Sequence, residues 1–263
     1  MRVAGEIPVA RPSGAGRHLC WIHADRAEFL AQARTFLAEG RAAGEEVRLV
    51  GDDLPALDGV EAVPIGEFYP PGTVVDPAAQ IEVYAAATAA TVAAGHTGLR
   101  VAVEATPLVR SVAQLTAFVA YEHRIDRYMA DHPFSAMCGY DRRQLGHAAV
   151  ADLACMHSDH NLPEVPFRLH GAPGSGDVAL SGELDVTGAE VLARALDRAE
   201  PPVVDGELTL DAAALAFVDH RSLLQLADYA RGRGATAVLR TPLPAAARLV
   251  ELLGVPGIRV VAR

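Results

Sequence analysis

Short apolar runs alternate along this chain with longer segments in which apolar residues recur at every third or fourth position. The runs predict buried strands, and the periodic segments predict amphipathic helices. The first pair is RHLCWIHA at 17–24, followed by DRAEFLAQARTFLAEGRAAGE, where Asp25 can cap the helix and Gly44 can end it. This alternation predicts a mostly parallel sheet that is covered by helices on both faces.

The same alternation continues to about residue 162. Further strands are predicted in EEVRLVGDD, VEAVPIGEFY, LRVAVEAT and FSAMCGYD. Further helices are predicted in PAAQIEVYAAATAATVAAG, SVAQLTAFVAYEHRIDRYMADH and DRRQLGHAAVADLACMHSDH. The two prolines of NLPEVP then indicate a boundary. We therefore expect a flexible start at 1–16, a first domain at 17–162 and a second domain at 163–263.

The second domain is predicted to open with two strands, in PFRLH and DVALSGELD, that are joined by a turn at GAPGSG. Next come the helix TGAEVLARALDRA, the strand GELTLDAAAL and a helix that starts within FVDHRSLLQLADYA. The strand ATAVLRT, the helix PLPAAARLVELLG and the strand GIRVVAR complete a unit of about 100 residues. GAPGSGDVA lacks the spacing and the Gly-Lys-Ser/Thr of a phosphate loop.

Composition narrows the class of protein. The 263 residues include 33 acidic and 23 basic side chains, and this net charge of −10 argues against a general nucleic-acid binder. The three cysteines are too few and too scattered for a disulfide framework. The first residues lack the apolar core of a signal peptide, and no apolar run approaches the roughly 20 residues of a membrane span. We expect a reduced, cytoplasmic protein without a membrane partner.

Polar residues follow several predicted strands of the first domain, at the ends where parallel sheets border their ligand crevices. These residues are His23, Asp52, Asp53, Glu104, Tyr140 and Asp141. Glu104 together with Arg110 suits a polar ligand, and a structural ion pair is the alternative. Asp141 before two arginines is typical of a helix cap. No acid/base or nucleophile constellation is recognisable, so we expect no enzyme.

The histidines and cysteines raise the question of a metal. Cys155, His157 and His160 lie within CMHSDH, and Cys20 and His23 lie on the first strand, but the spacing matches no standard pair of ligand clusters. We therefore expect no metal and no cofactor, and interpret CMHSDH as a buried cysteine followed by a solvated helix end. Cys20 lies in an apolar strand that disfavours a thiolate, so a nucleophilic cysteine is not expected.

The first domain resembles the MEDS domain, the sensory module named after methanogen/methylotroph DcmR regulators. The matching pieces are HLCWIHADRAEFLAQARTFLAEGRAAGEEVRLVGDD, VAVEATPLVRS, the helix with YEHRID, and MCGYDRRQLG, which together cover most of 17–160. The resemblance implies a relative of the RecA/KaiC-type ATPase core that senses small, hydrocarbon-like ligands. It places His18, Cys20, Tyr140 and Asp141 on motif positions. HADRAEF stands where a phosphate loop would lie, so ATP hydrolysis is not expected.

Residues 166–263 resemble a STAS domain, the fold of anti-sigma factor antagonists, most specifically at GELD and FVD. The resemblance implies binding to an anti-sigma factor of the serine-kinase type. In that family the corner after FVD usually reads Asp-Ser-Ser-Gly, and the first serine is phosphorylated. Here Asp219 keeps the aspartate position, His220 replaces the acceptor, Arg221 follows, and Ser222 stands where glycine is expected.

Several roles remain open for this corner. Asp219 is expected to cap the helix in every case. His220 and Arg221 are expected to form an exposed docking surface, while phosphorylation of His220 or of Ser222 is a less favoured alternative.

The sequence therefore predicts a two-domain signalling regulator, in which a sensory domain controls a STAS domain that binds an anti-sigma factor. The expected ligand-binding residues are His18, Cys20, His23, Glu104, Arg110, Tyr140 and Asp141. The expected partner-binding residues are Asp185, Asp219, His220, Arg221 and Ser222. The alternative is a degenerate nucleotide- or metabolite-binding protein in which the STAS domain serves only assembly. Either domain is also compatible with a homodimer.

Overall fold

The computed structural model describes residues 16–172 and 178–262. The predicted flexible start, apart from Gly16, and the centre of the predicted GAPGSG turn lie outside the described residues. Two sheets organise the rest of the chain. Among the described residues, no helix combines the length and the apolar character needed to cross a membrane.

The first sheet contains six strands: β1 (His18–His23), β2 (Glu46–Val50), β3 (Ala62–Val63), β4 (Leu99–Glu104), β5 (Phe134–Asp141) and β6 (Asp159–His160). Their order in the sheet is β3-β2-β4-β5-β1-β6, and all of the pairings are parallel. This confirms the predicted parallel sheet.

Five helices accompany this sheet: α1 (Arg26–Ala42), α2 (Pro77–Ala93), α3 (Val112–Asp131), α4 (Arg142–Leu145) and α5 (His147–Ala154). Helix α1 buries Phe29 and Phe36 in a core with Leu19 and Met137 on one face of the sheet. Helices α2, α3 and α5 contribute to a second, larger core. Layers on both faces therefore bury the strands, as the alternating pattern predicts.

Local signals set the ends of the helices. The Asp25 side chain accepts hydrogen bonds from the backbone N–H groups of Ala27 and Glu28, which confirms the predicted cap of α1. Ser111 and Gln114 form a capping box at the start of α3, in which each side chain accepts a bond from the other residue's backbone N–H.

Two predictions for the first domain were wrong in detail. The predicted third strand shrinks to two residues, because Pro64 has no N–H for a sheet and a 3₁₀ turn, Ile65–Glu67, follows it. The predicted helix at 141–160 is divided at Gly146, whose φ of 78° ends α4. Beyond α5 the chain turns into β6, so CMHSDH does not end a solvated helix.

The second sheet is mixed and contains seven strands. They are β7 (Phe167–Gly171), β8 (Val178–Leu184), β9 (Val203–Val204), β10 (Glu207–Asp211), β11 (Leu215–Val218), β12 (Thr236–Arg240) and β13 (Ile258–Val261). Its helices are α6 (Ala189–Ala199), α7 (His220–Arg231) and α8 (Pro244–Leu253). We call residues 167–262 the C-terminal unit.

The order in this sheet is β11-β8-β10-β12-β13, with β7 antiparallel to β8 and β9 antiparallel to β10. The predicted strand GELTLDAAAL is shorter than expected. The first residues of β8 pair with β10, and the last residues of β8 pair with a separate strand, β11. The predicted strand therefore ends as β10.

The C-terminal unit packs directly on the first domain. Buried residues of both belong to one continuous hydrophobic core. At the edge of this core the buried carboxylate of Asp152 on α5 forms ion pairs with two arginines of α6, Arg194 at 2.8 Å and Arg198 at 2.6 Å. The first domain and the C-terminal unit are thus joined by apolar packing and by a bridging carboxylate.

Candidate functional site

A group of polar side chains is buried between α3 and the first sheet. Because side chains alternate along a strand, His18 and Cys20 on β1 share one face with Cys138 and Tyr140 on β5. This face lies against α3, on which Glu122 and Asp126 are one helical turn apart. We call His18, Glu122, Asp126, Cys138, Tyr140 and His157 the polar cluster.

His18 forms the centre of the polar cluster. Its Nδ1 atom lies 3.0 Å from Asp126 Oδ1, and its Nε2 atom lies 3.1 Å from Glu122 Oε2. Cys138 Sγ lies 3.8 Å from the same Nε2 atom. The hydroxyl of Tyr140 donates to the other oxygen of Glu122. The exposed fraction of His18 and of Glu122 is 0%.

His157 enters the polar cluster from the segment that follows α5. Its Nδ1 atom lies 2.8 Å from the backbone oxygen of Leu153 and donates to it. Its Nε2 atom lies 3.7 Å from Glu122 Oε2 and has no hydrogen-bond partner among the described residues. The rings of His157 and His18 stack with their centroids 3.9 Å apart.

The charges of the polar cluster follow from these contacts. Burial lowers the pKa of His18, but the hydrogen bonds to Asp126 and Glu122 outweigh it and raise that pKa to about 9. Burial opposes ionisation of Asp126 and Glu122, yet the neighbouring histidines hold the pKa of each carboxyl below its ordinary value. Burial and the charge of His18 lower the pKa of His157 to about 4. At neutral pH an imidazolium therefore lies between two carboxylates.

The cysteine and the tyrosine of the cluster stay protonated. Burial and the charge of Glu122 raise the pKa of the Cys138 thiol and of the Tyr140 hydroxyl. Cys20 and Cys155 are also buried, and burial raises the pKa of both thiols. These are poor conditions for a nucleophilic cysteine in the metal-free protein.

The polar cluster is bonded to the C-terminal unit. The second oxygen of Asp126 accepts the backbone N–H of Gly171 on β7 at 2.6 Å. His123, the neighbour of Glu122, has its Nδ1 atom 3.3 Å from the backbone oxygen of Leu169. A Cβ atom on residue 171 would lie 2.6 Å from the Cα atom of Arg127, so this approach of β7 to α3 requires glycine.

A second polar group lies at the carboxyl ends of the strands, as the sequence predicts. His23 Nε2 lies 3.6 Å from Glu104 Oε1, and Thr106 donates to Glu104. Thr106 also accepts the backbone N–H of Asp141 at 2.9 Å. Glu104 and Arg110 do not form the direct ion pair that was the alternative to a shared ligand site.

Arg110 instead binds Gln144 at 3.3 Å and, with Asp52, lines a cavity of about 430 Å³. Asp53 lies in the same loop, with a φ of 54°. Asp141 caps α4 by accepting the N–H of Arg143, as predicted.

A second cavity of about 430 Å³ adjoins the first, and Tyr69 and Leu108 line both. Apolar and aromatic side chains dominate its wall, among them Phe68 and Phe118. The Tyr69 hydroxyl lies 3.4 Å from that of Tyr121, which directly precedes Glu122 in α3. The cavity has the size and the apolar character of a small-molecule site.

The start of α1 is closed by acidic side chains. Asp25 occupies the N–H groups of Ala27 and Glu28, and the Glu28 side chain accepts the N–H of Ala24 at 2.7 Å. A phosphate would need these donors and would meet two carboxylates. This geometry speaks against a nucleotide phosphate at the position that HADRAEF takes.

Sequence reasoning singled out His18, Tyr140 and His157 but did not connect them. The other proposed metal ligands lie elsewhere: Cys155 donates to the backbone oxygen of Asp152, and His160 accepts the N–H of Leu162. Glu122, Asp126 and Cys138 were missed. The sequence signal for Glu122 and Asp126 is a pair of carboxylates at i and i+4 on the otherwise apolar face of a long helix.

The corner at 219–222 is an ordinary helix start. The Asp219 side chain accepts the N–H of Ser222 at 2.7 Å, which confirms the predicted cap. His220 and Arg221 are exposed, whereas Ser222 is only 1% exposed. A kinase would therefore reach Ser222 only if the first turn of α7 opened. Asp185 directly follows β8, and Asp219 directly follows β11. Because the last residues of these two strands, Leu184 and Val218, pair with each other, Asp185 and Asp219 lie at the same edge of the second sheet.

A parallel α/β domain with a buried titratable cluster and adjoining cavities has the features of a ligand-binding module. Residues 17–158 match the family model described as MEDS, the MEthanogen/methylotroph, DcmR Sensory domain. The match spans more than half of the 263 residues, and the chain belongs to this family. This confirms the resemblance of the first domain and suggests a signalling role. No curated protein matches the chain.

Proposed function

We propose that this chain is a signalling protein in which a small molecule bound by the MEDS domain controls the binding of a partner to the C-terminal unit. One face of α3 supports this proposal. Phe118, Glu122 and Asp126 follow one another at intervals of four residues. Phe118 lines the apolar cavity, Glu122 belongs to the polar cluster, and Asp126 binds β7. A shift of this helix would act on all three.

The glycine contact gives this coupling its physical basis. Because the backbone of Gly171 lies directly on α3, the helix cannot move toward β7 without displacing the strand. Strand β7 pairs along its whole length with β8, whose carboxyl end carries Asp185. A ligand that moves α3 is thereby linked to the edge of the second sheet.

The output is proposed to be protein binding at that edge. His220 and Arg221 are exposed, and the apolar side chains of Val186, Phe217 and Leu224 are exposed at 55%, 48% and 41%. Such a mixture of apolar and cationic groups suits a protein interface. The resemblance of residues 166–263 to STAS domains favours an anti-sigma factor of the serine-kinase type as the partner. No chemistry on a substrate is proposed.

The test is capture of purified anti-sigma kinases by the full chain. We expect the double variant His220→Ala/Arg221→Ala to lose capture, while Arg248→Ala on the exposed surface of α8 keeps it. We also expect Asp126→Asn to change the apparent affinity about fivefold or more without touching the surface. Equal capture by all four proteins would place the output elsewhere. Failure of the wild-type chain to bind any such kinase would overturn the anti-sigma proposal.

A further inference from the structure

Four side chains of the polar cluster meet around one point. His18, Glu122, Cys138 and His157 each offer one ligand atom, and these atoms all lie within 4.8 Å of one another. All four side chains are buried. They come from β1, α3, β5 and the segment after α5, so the folded chain alone brings them together.

We propose that His18, Glu122, Cys138 and His157 form a binding site for a divalent transition metal ion, with Zn²⁺ as the best match. Two imidazoles, a carboxylate and a thiolate are all ordinary zinc ligands. Hard ions such as Mg²⁺ and Ca²⁺ prefer oxygen ligands, and this site offers one carboxylate. This inference stands on the geometry of the cluster and is independent of the proposed partner.

The distances suit a tetrahedral ion. Ordinary zinc bond lengths place neighbouring ligand atoms about 3.3–3.6 Å apart. In the structure Glu122 Oε2 lies 3.1 Å from His18 Nε2 and 3.7 Å from His157 Nε2. Cys138 Sγ lies 3.8 Å from His18 Nε2. Shifts of a few tenths of an ångström would bring these three contacts to the ideal values. The other pairs of ligand atoms, which all lie within 4.8 Å, would have to close by at most about 1.3 Å.

The surroundings already orient the ligands. His18 Nδ1 binds Asp126, and His157 Nδ1 donates to the backbone oxygen of Leu153. Both contacts direct the Nε2 atoms into the cluster, as in most protein sites where a histidine binds a metal. Tyr140 holds one oxygen of Glu122 and leaves the other for the ion.

The buried Nε2 atom of His157 is an independent sign of a ligand. It has no hydrogen-bond partner among the described residues, although it points at Glu122. A buried polar atom without a partner is unfavourable, and coordination of an ion would satisfy it.

The site is closed, so the ion must enter as the chain folds. We would express the full chain in medium supplemented with Zn²⁺ or, separately, with Co²⁺, and measure bound metal by elemental analysis after desalting. Cobalt also reports on its ligands, because a thiolate bound to Co²⁺ adds a charge-transfer band in the ultraviolet. We expect about one equivalent of either metal and a clear charge-transfer band.

Matched variants assign the band. We expect Cys138→Ser to lose it and Cys155→Ser to keep it, because Cys155 is equally buried but bonds to Asp152. Asp126→Asn is expected to weaken metal affinity about 10–100-fold, because the Asp126 carboxylate orients His18.

Little bound metal in folded wild-type protein would overturn the proposal. So would a band that persists in Cys138→Ser or disappears in Cys155→Ser. If Cys138→Ser does not fold, the wild-type stoichiometry and loss of metal in His157→Gln decide.

Discussion

The polar cluster draws its side chains from β1, α3, β5 and the segment after α5, whereas the corner at 219–222 takes all of its side chains from a single turn. The first region is buried and charged, and the hydrogen bonds between its side chains join residues at least 18 positions apart in the chain. The second presents His220 and Arg221 to solvent. The comparison teaches that a buried ionic group depends on the whole fold, while an exposed helix start depends on a few neighbours.

The largest expected effect comes from removing a charge in the buried region. Glu122→Gln leaves the imidazolium of His18 with one carboxylate, and breaking a buried ion pair costs about 3–5 kcal/mol. The free energy of unfolding of the metal-free chain, measured with urea at neutral pH, should fall by this amount. Glu61→Gln on the surface should change it by less than about 0.5 kcal/mol. A loss below about 1 kcal/mol for Glu122→Gln would mean that the cluster is not ionised.

The junction between the two halves should be nearly as sensitive. Asp152→Ala removes the carboxylate that binds Arg194 and Arg198 and leaves the less exposed Arg198 without it. We expect a loss of about 1.5–3 kcal/mol, the usual range for a hydrogen bond to a charged group. Asp197→Ala on the exposed side of α6 is the control. Thermal unfolding of both variants measures the difference, and equal shifts would show that the bridge does not join the halves.

The pH dependence of the buried region follows from His18. Its pKa is about 9 in the folded chain against 6.5 without its partners. The stabilisation is complete below pH 6.5 and is lost as the pH rises through 9. The contribution of His18 to the free energy of unfolding of the metal-free chain should therefore be about 2 kcal/mol smaller at pH 8.5 than at pH 6.5, measured as the difference between the wild type and His18→Gln. His18→Gln should not show this loss.

Metal would reverse this trend. Coordination needs deprotonated ligands, so the metal-loaded chain should gain stability over the same rise in pH. A metal-free wild type whose stability changes between the two pH values by the same amount as that of His18→Gln would falsify the charged state of His18.

On the acid side other histidines act in the opposite sense. Burial lowers the pKa of His123, His157 and His160 to about 4 each. A histidine with a lowered pKa costs stability as the pH falls from 6.5 toward 4, because the unfolded chain binds protons more readily. Together with the opposite effect of His18, this places the greatest stability of the metal-free chain near pH 7.

The smallest effect belongs to the exposed corner. Asp219→Ala removes one cap, and we expect a loss of about 1 kcal/mol in the free energy of unfolding. His220→Ala should leave stability within about 0.5 kcal/mol, because this side chain is exposed. Urea unfolding compares the two variants. A larger loss in His220→Ala than in Asp219→Ala would show that the corner has a structural role that its geometry does not indicate.

Sequence reasoning succeeded where the signal was local. The cap at Asp25, the strand Phe134–Asp141 and the hairpin of β7 and β8 were all predicted from neighbouring residues. It failed where a glycine or a distant strand decided the outcome, as at Gly146 and in the separation of β10 from β11. A strand exists only where a partner accepts its hydrogen bonds, and pairing partners are not visible in a short window of sequence.

The sequence by itself determined the alternation of strands and helices, the parallel first sheet, the helix caps and the membership in the MEDS family. These follow from periodicity and from residues close together in the chain. Only the tertiary structure decided that His18 meets Glu122, Cys138 and His157. Glu122 lies 104 residues and Cys138 lies 120 residues from His18 along the chain. Convergence over such distances depends on strand order and helix packing, and these are set by burial of the whole core.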